Sequence, residues 1–382
     1  MQVLVLGSTG RVAGLAIPLL ARSISVDDIV VAGRDRDRVA QRLTELDVSA
    51  QVAQADATDA SAVAAAATGC DLVMNLAGLD DITPLSAAEG ALRAGSHYVD
   101  ISASPAALSE LLKRSDEFAA AGLSCIPSTG TVPGVAGMLG THAASLLDEC
   151  DSITTNGGVP FLRWGDPAKI HAGLRGGAAV LQSHVAALAW FVRPAPVIRD
   201  GRLTFVRPGD NVVDATAPDG RSYRMMPIYS TEALTIPLAV PLTTVVESRC
   251  ALWPNEIMEL IAGHPADAEL ESLTRSVFAE LATWEPQRLQ PPPDYPDFLF
   301  WAQADGSING RERSVRCTCN IPFSTAGAVV TAGILAATDP AIPRGVHPLE
   351  VCFDLAAFLQ RVAETEHTAF EGSPVTVTIS DR

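Results

Sequence analysis

The sequence predicts an α/β chain in which an N-terminal Rossmann-type parallel sheet is joined to a second α+β domain. Three observations predict it. Over the first third, short β-branched runs alternate with alanine-rich stretches of helical spacing, the pattern of a parallel sheet wound with helices. A glycine turn, Gly7-Ser8-Thr9-Gly10-Arg11-Val12-Ala13, sits between the first apolar run and the first helical stretch. Past Gly130 the alternation fades, and proline clusters at Pro194-Ala195-Pro196 and Pro291-Pro292-Pro293 punctuate a mixed region.

Taken in order, residues 3–6 read as a strand, 12–22 as a helix interrupted by Pro18, 29–32 as a strand and 36–43 as a helix. The series continues with strand 52–55, helix 59–68, strand 71–76, helix 84–94, strand 98–101, helix 105–121 and strand 123–126. The domain expectation is a dinucleotide-binding domain over 1–130 and a second, α+β domain over 131–321, followed by a C-terminal segment over 322–382.

Composition narrows the function. The 382 residues carry 27 Lys+Arg against 44 Asp+Glu, a net charge of −17, which argues against a nucleic-acid partner because a phosphate backbone needs a clustered basic surface. Seven scattered cysteines show neither a secreted disulfide framework nor paired metal spacing, so a reducing cytoplasm and no metal are expected. Cys317 and Cys319 alternate onto one strand face but lack partner ligands. Two charge-free stretches, 118–147 and 320–338, are broken by glycine, proline and serine and read as buried strand, turn and helix rather than as membrane spans.

The glycine turn has the chemistry of a dinucleotide site. Gly7 permits the tight turn, Gly10 admits the pyrophosphate, Ala13 lets the helix lie close on the sheet, and the helix N-terminus offers unpaired N–H donors to the anion. Ser8, Thr9, Arg11 and Val12 complete this cradle. The second strand ends in Gly33-Arg34 where an NAD-specific site places a carboxylate for the ribose 2′-hydroxyl, so NADP(H) is expected, with Arg34 as the phosphate clamp and Arg11 as a second cation. The alternative is that Arg34-Asp35-Arg36 only caps the next helix. Asp56 is open between an adenine contact and a solvated turn residue. Asn75, Ala77 and Gly78 end the fourth strand and are expected along the crevice. Thr129 and Gly130 either line the nicotinamide pocket or form a hinge.

The run 71–78, the run Ala91-Leu92-Arg93-Ala94-Gly95-Ser96-His97-Tyr98-Val99-Asp100-Ile101-Ser102 and the later Pro133-Gly134 together resemble the saccharopine dehydrogenase-like family. Asn156-Gly157-Gly158-Val159-Pro160 resembles that family's entry strand, and Ile198-Arg199-Asp200-Gly201-Arg202 resembles its loop after a long helix. Ser324-Thr325-Ala326 and Arg344-Gly345-Val346-His347-Pro348 resemble its C-terminal segment, so the resemblance spans most of the chain. It implies that 131–321 form an α+β substrate and dimerisation domain, that C-terminal helices and a strand over 322–382 pack back on the first domain, and that the reaction is oxidation or reduction at a carbon–nitrogen bond of an amino acid or polyamine. An amino-acid-derived small molecule and a homodimer are expected.

Imine reduction needs a positioned substrate and a proton donor. Tyr98 and Asp100, with neighbouring His97, are the candidates, against the alternative that Tyr98 is packed and Asp100 caps the helix at 105. Lys169, Arg175 and Arg224 are candidates to hold a substrate carboxylate. His184, in an apolar stretch, reads as a core or interface histidine. Two rival functions are a carbon–carbon double-bond reductase on an acyl or lipid substrate and a catalytically silent NADP-binding scaffold or sensor.

Overall fold

A computed structural model describes residues 1–77, 81–160, 190–264, 270–292 and 299–382. The chain divides into two compact units: Met1–Met138 with Cys319–Thr376, and Leu139–Thr318 with Val377–Arg382.

The first unit is built on seven strands: β1 (Val3–Leu6), β2 (Ile29–Gly33), β3 (Gln51–Gln54), β4 (Leu72–Asn75), β5 (His97–Asp100), β6 (Ser124–Ile126) and β15 (Gly345–Val346). All pairings are parallel and the order is β15-β6-β5-β4-β1-β2-β3. The direction in which successive strands are added reverses at β1, which pairs β2 on one side and β4 on the other, so a topological switch point opens at the carboxyl ends of β1 and β4. Helices cover both faces of such a sheet, which is why Val3, Leu4, Val5 and Leu6 are apolar without alternation and wholly buried.

Local chemistry fixes where the helices begin. The helix α1 (Arg11–Ser23) follows Gly10 and runs through Pro18. Asp35 caps α2 (Arg36–Glu45) by accepting from the Arg38 amide, and Asp59 caps α3 (Ala60–Ala66) through Ser61 and Ala62. Next, α4 (Thr83–Ala94) starts on Pro84 and ends at Gly95 in the left-handed conformation. Ser104 caps α5 (Pro105–Leu112), after which the single helix expected to 121 breaks. Arg114 leaves the helical region there, with its guanidinium held by Glu117 and Glu89, and α6 (Ser115–Ala120) follows as a separate helix. The helix Thr325–Thr338, from the C-terminal part of the chain, packs on α1 and β5 within this unit.

The second unit holds a mixed sheet. Its strands are β7 (Glu149–Pro160), β8 (Ala195–Arg199), β9 (Arg202–Val206), β10 (Val213–Thr216), β11 (Ser222–Pro227), β12 (Val245–Trp253), β13 (Leu299–Ile308), β14 (Arg311–Cys319) and β16 (Val375–Asp381). The order is β10-β11-β12-β7-β13-β14-β16, and the β8–β9 hairpin joins β12. In this sheet β7 and β12 pair in parallel, whereas β10–β11, β11–β12, β12–β8, β8–β9, β13–β7 and β13–β14 are antiparallel. Asp200-Gly201, read above as part of a loop, forms the two-residue turn between β8 and β9, and Asn309-Gly310 does the same between β13 and β14. All four residues have positive φ, the backbone of a type I′ hairpin turn that asparagine, aspartate and glycine tolerate.

One face of this sheet is apolar and carries Ile153, Val246, Cys250, Ala302, Ala304, Val315 and Cys317, all buried. The helices α7 (Val135–Ser145) and Glu232–Ala239 approach it near Ile153, where Gly140 leaves no room for a side chain. Set into this core is Glu232, wholly buried, with Oε2 accepting from the Ser230 hydroxyl and Oε1 without a partner.

Among the described residues no helix is long and apolar enough to cross a membrane, and the two charge-free stretches resolve as shorter elements. None of the described His, Cys, Asp and Glu side chains gather in threes as a metal site would require.

Burial raises the Glu232 carboxyl above its ordinary 4.5, with the Ser230 hydrogen bond opposing. A raised acid holds its proton in the folded state while the unfolded chain has lost it, so its contribution to stability falls as pH climbs from 4.5 through the raised value. Glu232→Gln is therefore expected to raise the melting temperature at pH 8 and to flatten its decline with pH. Equal slopes for both proteins in thermal melts from pH 4 to 8 would remove Glu232 as the source.

Candidate functional site

The glycine turn lies at the switch point. Gly7 has φ +74°, and a Cβ there would overlap the Ala77 nitrogen, so only glycine lets the β1 turn pass under the backbone that follows β4. The Gly10 amide donates to Gly7 O at 2.9 Å and closes the turn. Intrahelical bonding in α1 resumes only when Gly14 N donates to Gly10 O at 3.1 Å, leaving the amides of Arg11, Val12 and Ala13 ahead of the ladder. Gly10 supplies no side-chain cap and the first turn carries no acid, so nothing in α1 competes with an anion at this N-terminus. Ser8 is buried and donates to Ala32 O at 3.1 Å, pinning the turn to β2, while Thr9 and Arg11 are exposed. These residues fit a dinucleotide's diphosphate.

Packing crowds the end of β2. A Cβ on Gly33 would stand 2.9 Å from Val39 Cγ2 and 3.4 Å from Ser8 Oγ, so a side chain at the position that reads a ribose hydroxyl in NAD sites would require Val39 to shift. Arg34 follows, exposed, with its carbonyl held by Gln54. Capping of α2 falls to Asp35 alone. Asp56 is engaged by the Thr58 amide at 3.0 Å and the Thr58 hydroxyl at 2.8 Å, which hold its carboxyl below the ordinary value with a smaller pull from Arg34. It is a turn residue that also places an anion near Arg34.

At the carboxyl ends of β4, β5 and β6 a buried network replaces the expected proton path. Tyr98 and Asp100 are both wholly buried, so neither presents a donor to a ligand. Asp100 Oδ1 accepts from the Ser102 amide at 2.9 Å and the Ser128 amide at 2.8 Å, and Oδ2 accepts from Tyr98 at 3.0 Å. Tyr98 Oη in turn accepts from Asn75 Nδ2 at 3.1 Å and also faces Pro84 O at 3.2 Å. Asn75 Oδ1 takes the Ala77 amide at 3.0 Å, so Asn75 braces the crevice loop from inside and does not point its amide along it. Burial raises both the Tyr98 and Asp100 pKa values, against the amide hydrogen bonds at Asp100. His97 opens β5, at the opposite end from the carboxyl edge, where its Nδ1 accepts from Ser124 N.

Thr129 is buried with its hydroxyl given to Ile126 O and its amide to Asp100 O, and Gly130 accepts from Val135 N. Both serve the backbone turn rather than a pocket wall. Ser128 is the residue sequence reasoning missed. It is 3% exposed, holds φ +60°, and its hydroxyl has no partner. A strained serine with an orphan hydroxyl at the ligand-binding edge of a sheet is a candidate contact. No sequence signal marks it apart from its place after a strand end.

Of the substrate candidates, Arg224 on β11 is half-exposed and paired with Glu259 at 3.0 Å. By strand alternation it shares a face with Met226. Lys169, Arg175, His184 and Gly78 lie outside the described residues.

Two outcomes are expected. In Asp100→Asn, Oδ1 keeps both amides and Nδ2 donates to Tyr98, whose proton turns to Pro84 O, so the melting temperature stays within a few degrees of wild type. Asp100→Ala strands the Ser102 and Ser128 amides and loses about 3 kcal/mol or more in denaturant titrations; similar stability for both variants would refute the brace. For Ser128→Gly, relief of the left-handed strain adds roughly 1 kcal/mol of stability while kcat/KM drops about tenfold. A more stable variant of unchanged activity would make the hydroxyl a bystander.

Residues 3–126 match the family model of the saccharopine dehydrogenase NADP binding domain. Among solved structures the chain is similar to the apo, histidine-tagged saccharopine dehydrogenase (L-Glu forming) from Saccharomyces cerevisiae, with 15% identity, a TM-score of 0.65 and 99% of each chain covered. It is also similar to the homospermidine synthase from Legionella pneumophila in complex with NAD, with 12% identity, a TM-score of 0.60, and coverage of 99% of this chain and 91% of the other. At those identities the likeness is one of fold. With its switch-point turn, seven-stranded parallel sheet and second mixed sheet, the chain has the saccharopine dehydrogenase fold, and residues 3–126 are similar to that family's NADP binding domain.

Proposed function

We propose that the protein is an NADP(H)-dependent oxidoreductase acting at a carbon–nitrogen bond of an amino-acid-derived substrate. The observation that carries the cofactor choice is Gly33, which offers no carboxylate to a ribose hydroxyl and is crowded by Val39, next to the exposed cation Arg34. The carbon–nitrogen reading is supported by the family motifs along the chain and by the fold shared over 99% of it with a saccharopine dehydrogenase.

When bound, the nicotinamide supplies or accepts the hydride. The chain's own residues do the placing. The amides of Arg11, Val12 and Ala13 receive the diphosphate, and Arg34 receives the 2′-phosphate with Asp56 steadying the guanidinium from the side. Tyr98 and Asp100 are positioning residues: by fixing the Ser102 and Ser128 amides they set the two loops that leave β5 and β6. Catalysis then draws on substrate orientation more than on a resident acid.

Burial of Tyr98 and Asp100 gives the silent-scaffold reading its one specific support. Sustained NADPH consumption with amine and keto-acid or aldehyde pairs eliminates that reading. Tight NADPH binding without turnover over the same panel favours it, and turnover only with unsaturated acyl substrates overturns the carbon–nitrogen assignment.

Arg34→Ala is expected to weaken NADPH binding roughly 10- to 100-fold, about 1.4–2.8 kcal/mol, and to leave NADH within about twofold. Fluorescence titration of both cofactors reads the difference, and an equal loss for the two overturns the preference for the phosphorylated cofactor.

A further inference from the structure

We propose that Asp81, on the loop between β4 and α4, is the counter-ion that holds the cationic nitrogen of the substrate. This rests on the carbon–nitrogen reading above and supplies the accessible charged group that buried Tyr98 and Asp100 do not.

The cofactor turn fixes which loops can meet the reacting carbon. Its ribose end is at Gly33 and Arg34 after β2, and its diphosphate turn is at Gly7 and Gly10 after β1. A dinucleotide bound there runs its nicotinamide end toward the loops that leave β4, β5 and β6 on the other side of β1. Among the described residues of those loops, 76–77, 81–82, 101–104 and 127–134, Asp81 is the one titratable side chain. It is half-buried, and Ile82 beside it is 62% exposed, so this loop opens to solvent.

The carboxylate is held in place from below. Asp81 Oδ1 accepts from the Ser104 hydroxyl, whose oxygen accepts in turn from Ala107 N at 3.0 Å as the cap of α5. Ser104 is buried, and its amide donates to Ser102 Oγ at 3.2 Å. The Ser102 amide is one of the two gripped by Asp100, so Asp81 is tied through the β5 loop to the buried brace. A clasp between the two loops would need only an acceptor at position 81. A carboxylate brings a charge as well.

That charge is what the reaction calls for. When a protonated imine is reduced, hydride from NADPH forms the new bond at carbon and the C–N π pair withdraws to nitrogen. The products are the neutral amine and NADP⁺, and no proton is delivered in that step. In reverse, hydride leaves carbon for NADP⁺ and positive charge grows on nitrogen. Both directions are served by a fixed anion beside the nitrogen rather than by a resident proton donor. At long range the net charge of −17 draws such a cation in, as it would not draw a carboxylate.

The test uses the full chain saturated with NADP⁺ and two probes: the acetamidinium ion, a planar cation of iminium shape, and acetamide, its neutral isostere. Read by NMR titration, the wild-type chain is expected to bind acetamidinium about tenfold or more tightly than acetamide. Asp81→Asn keeps an acceptor for Ser104 and removes the charge. It is expected to weaken acetamidinium by about tenfold or more while acetamide binding, NADP⁺ binding and melting temperature stay near wild type. Glu371→Gln, which removes an exposed acid elsewhere, changes none of these. Undiminished acetamidinium binding in Asp81→Asn, or a wild-type chain that does not prefer acetamidinium to acetamide, overturns the assignment. Acetamidinium binding that depends on Asp81, in a protein that turns over only unsaturated acyl substrates, leaves the cation site standing and instead removes the carbon–nitrogen reaction.

Discussion

A single carboxylate, sealed from water, gathers the carboxyl ends of three parallel strands. Asp100 accepts the amides that begin the loops after β5 and β6, and through Tyr98 it reaches Asn75 at the end of β4. Parallel strands end in unpaired backbone groups, and at a switch point those ends diverge, so something must fix them. An ordinary hydrophobic contact cannot, because it has no direction. A buried acid does so at the expense of its own desolvation, which is why its proton affinity rises even while two amides stabilise its charge. Tyr98 and Asn75 pass the constraint on to Ala77, whose amide completes the chain beside Gly7. The cofactor turn and the loops facing it are thus parts of one hydrogen-bonded assembly.

The end of β2 combines a crowded backbone position with an exposed cation. Val39 from α2 and Ser8 from the glycine turn close on Gly33 from two sides, and the Ala32 carbonyl, one position earlier, holds Ser8 in place. A side chain at position 33 therefore requires the Val39 methyl to give way. Changing the charge at position 34 requires no repacking, since Arg34 is exposed. The two neighbouring positions differ accordingly in what a substitution there disturbs.

Much of this was legible in the sequence because period and punctuation carry it. Continuous apolar runs announced buried parallel strands, and Gly7 and Gly10 between a run and a helix located the switch point. The break at Arg114 was not legible, because Lys113 and Arg114 are sound helix formers and the break depends on Glu89, a residue distant in sequence. The hairpins at Asp200-Gly201 and Asn309-Gly310 carried a readable turn signal that the long-range resemblance overshadowed. Tyr98 and Asp100 were found by residue type and strand position. Their depth was not, since exposure at a strand's carboxyl end is decided by which loops close over it, and those loops are drawn in by Asp100 itself. Ser128 was hidden for a related reason: its strain and its orphan hydroxyl are properties of a backbone conformation, not of a motif.

The polar face of the second sheet was the least legible feature, because Thr154, Asn156, Glu247, Arg249, Gln303 and Arg316 are separated by up to 162 positions and meet only through strand register. Sequence reasoning looked instead for lone cations and so named Arg224, which pairs with Glu259. Arg249 and Arg316 were passed over because nothing local marks them. Arg249 is matched to Glu247 on its own strand and Arg316 to Gln303 across the sheet, contacts that strand alternation permits but that only register selects.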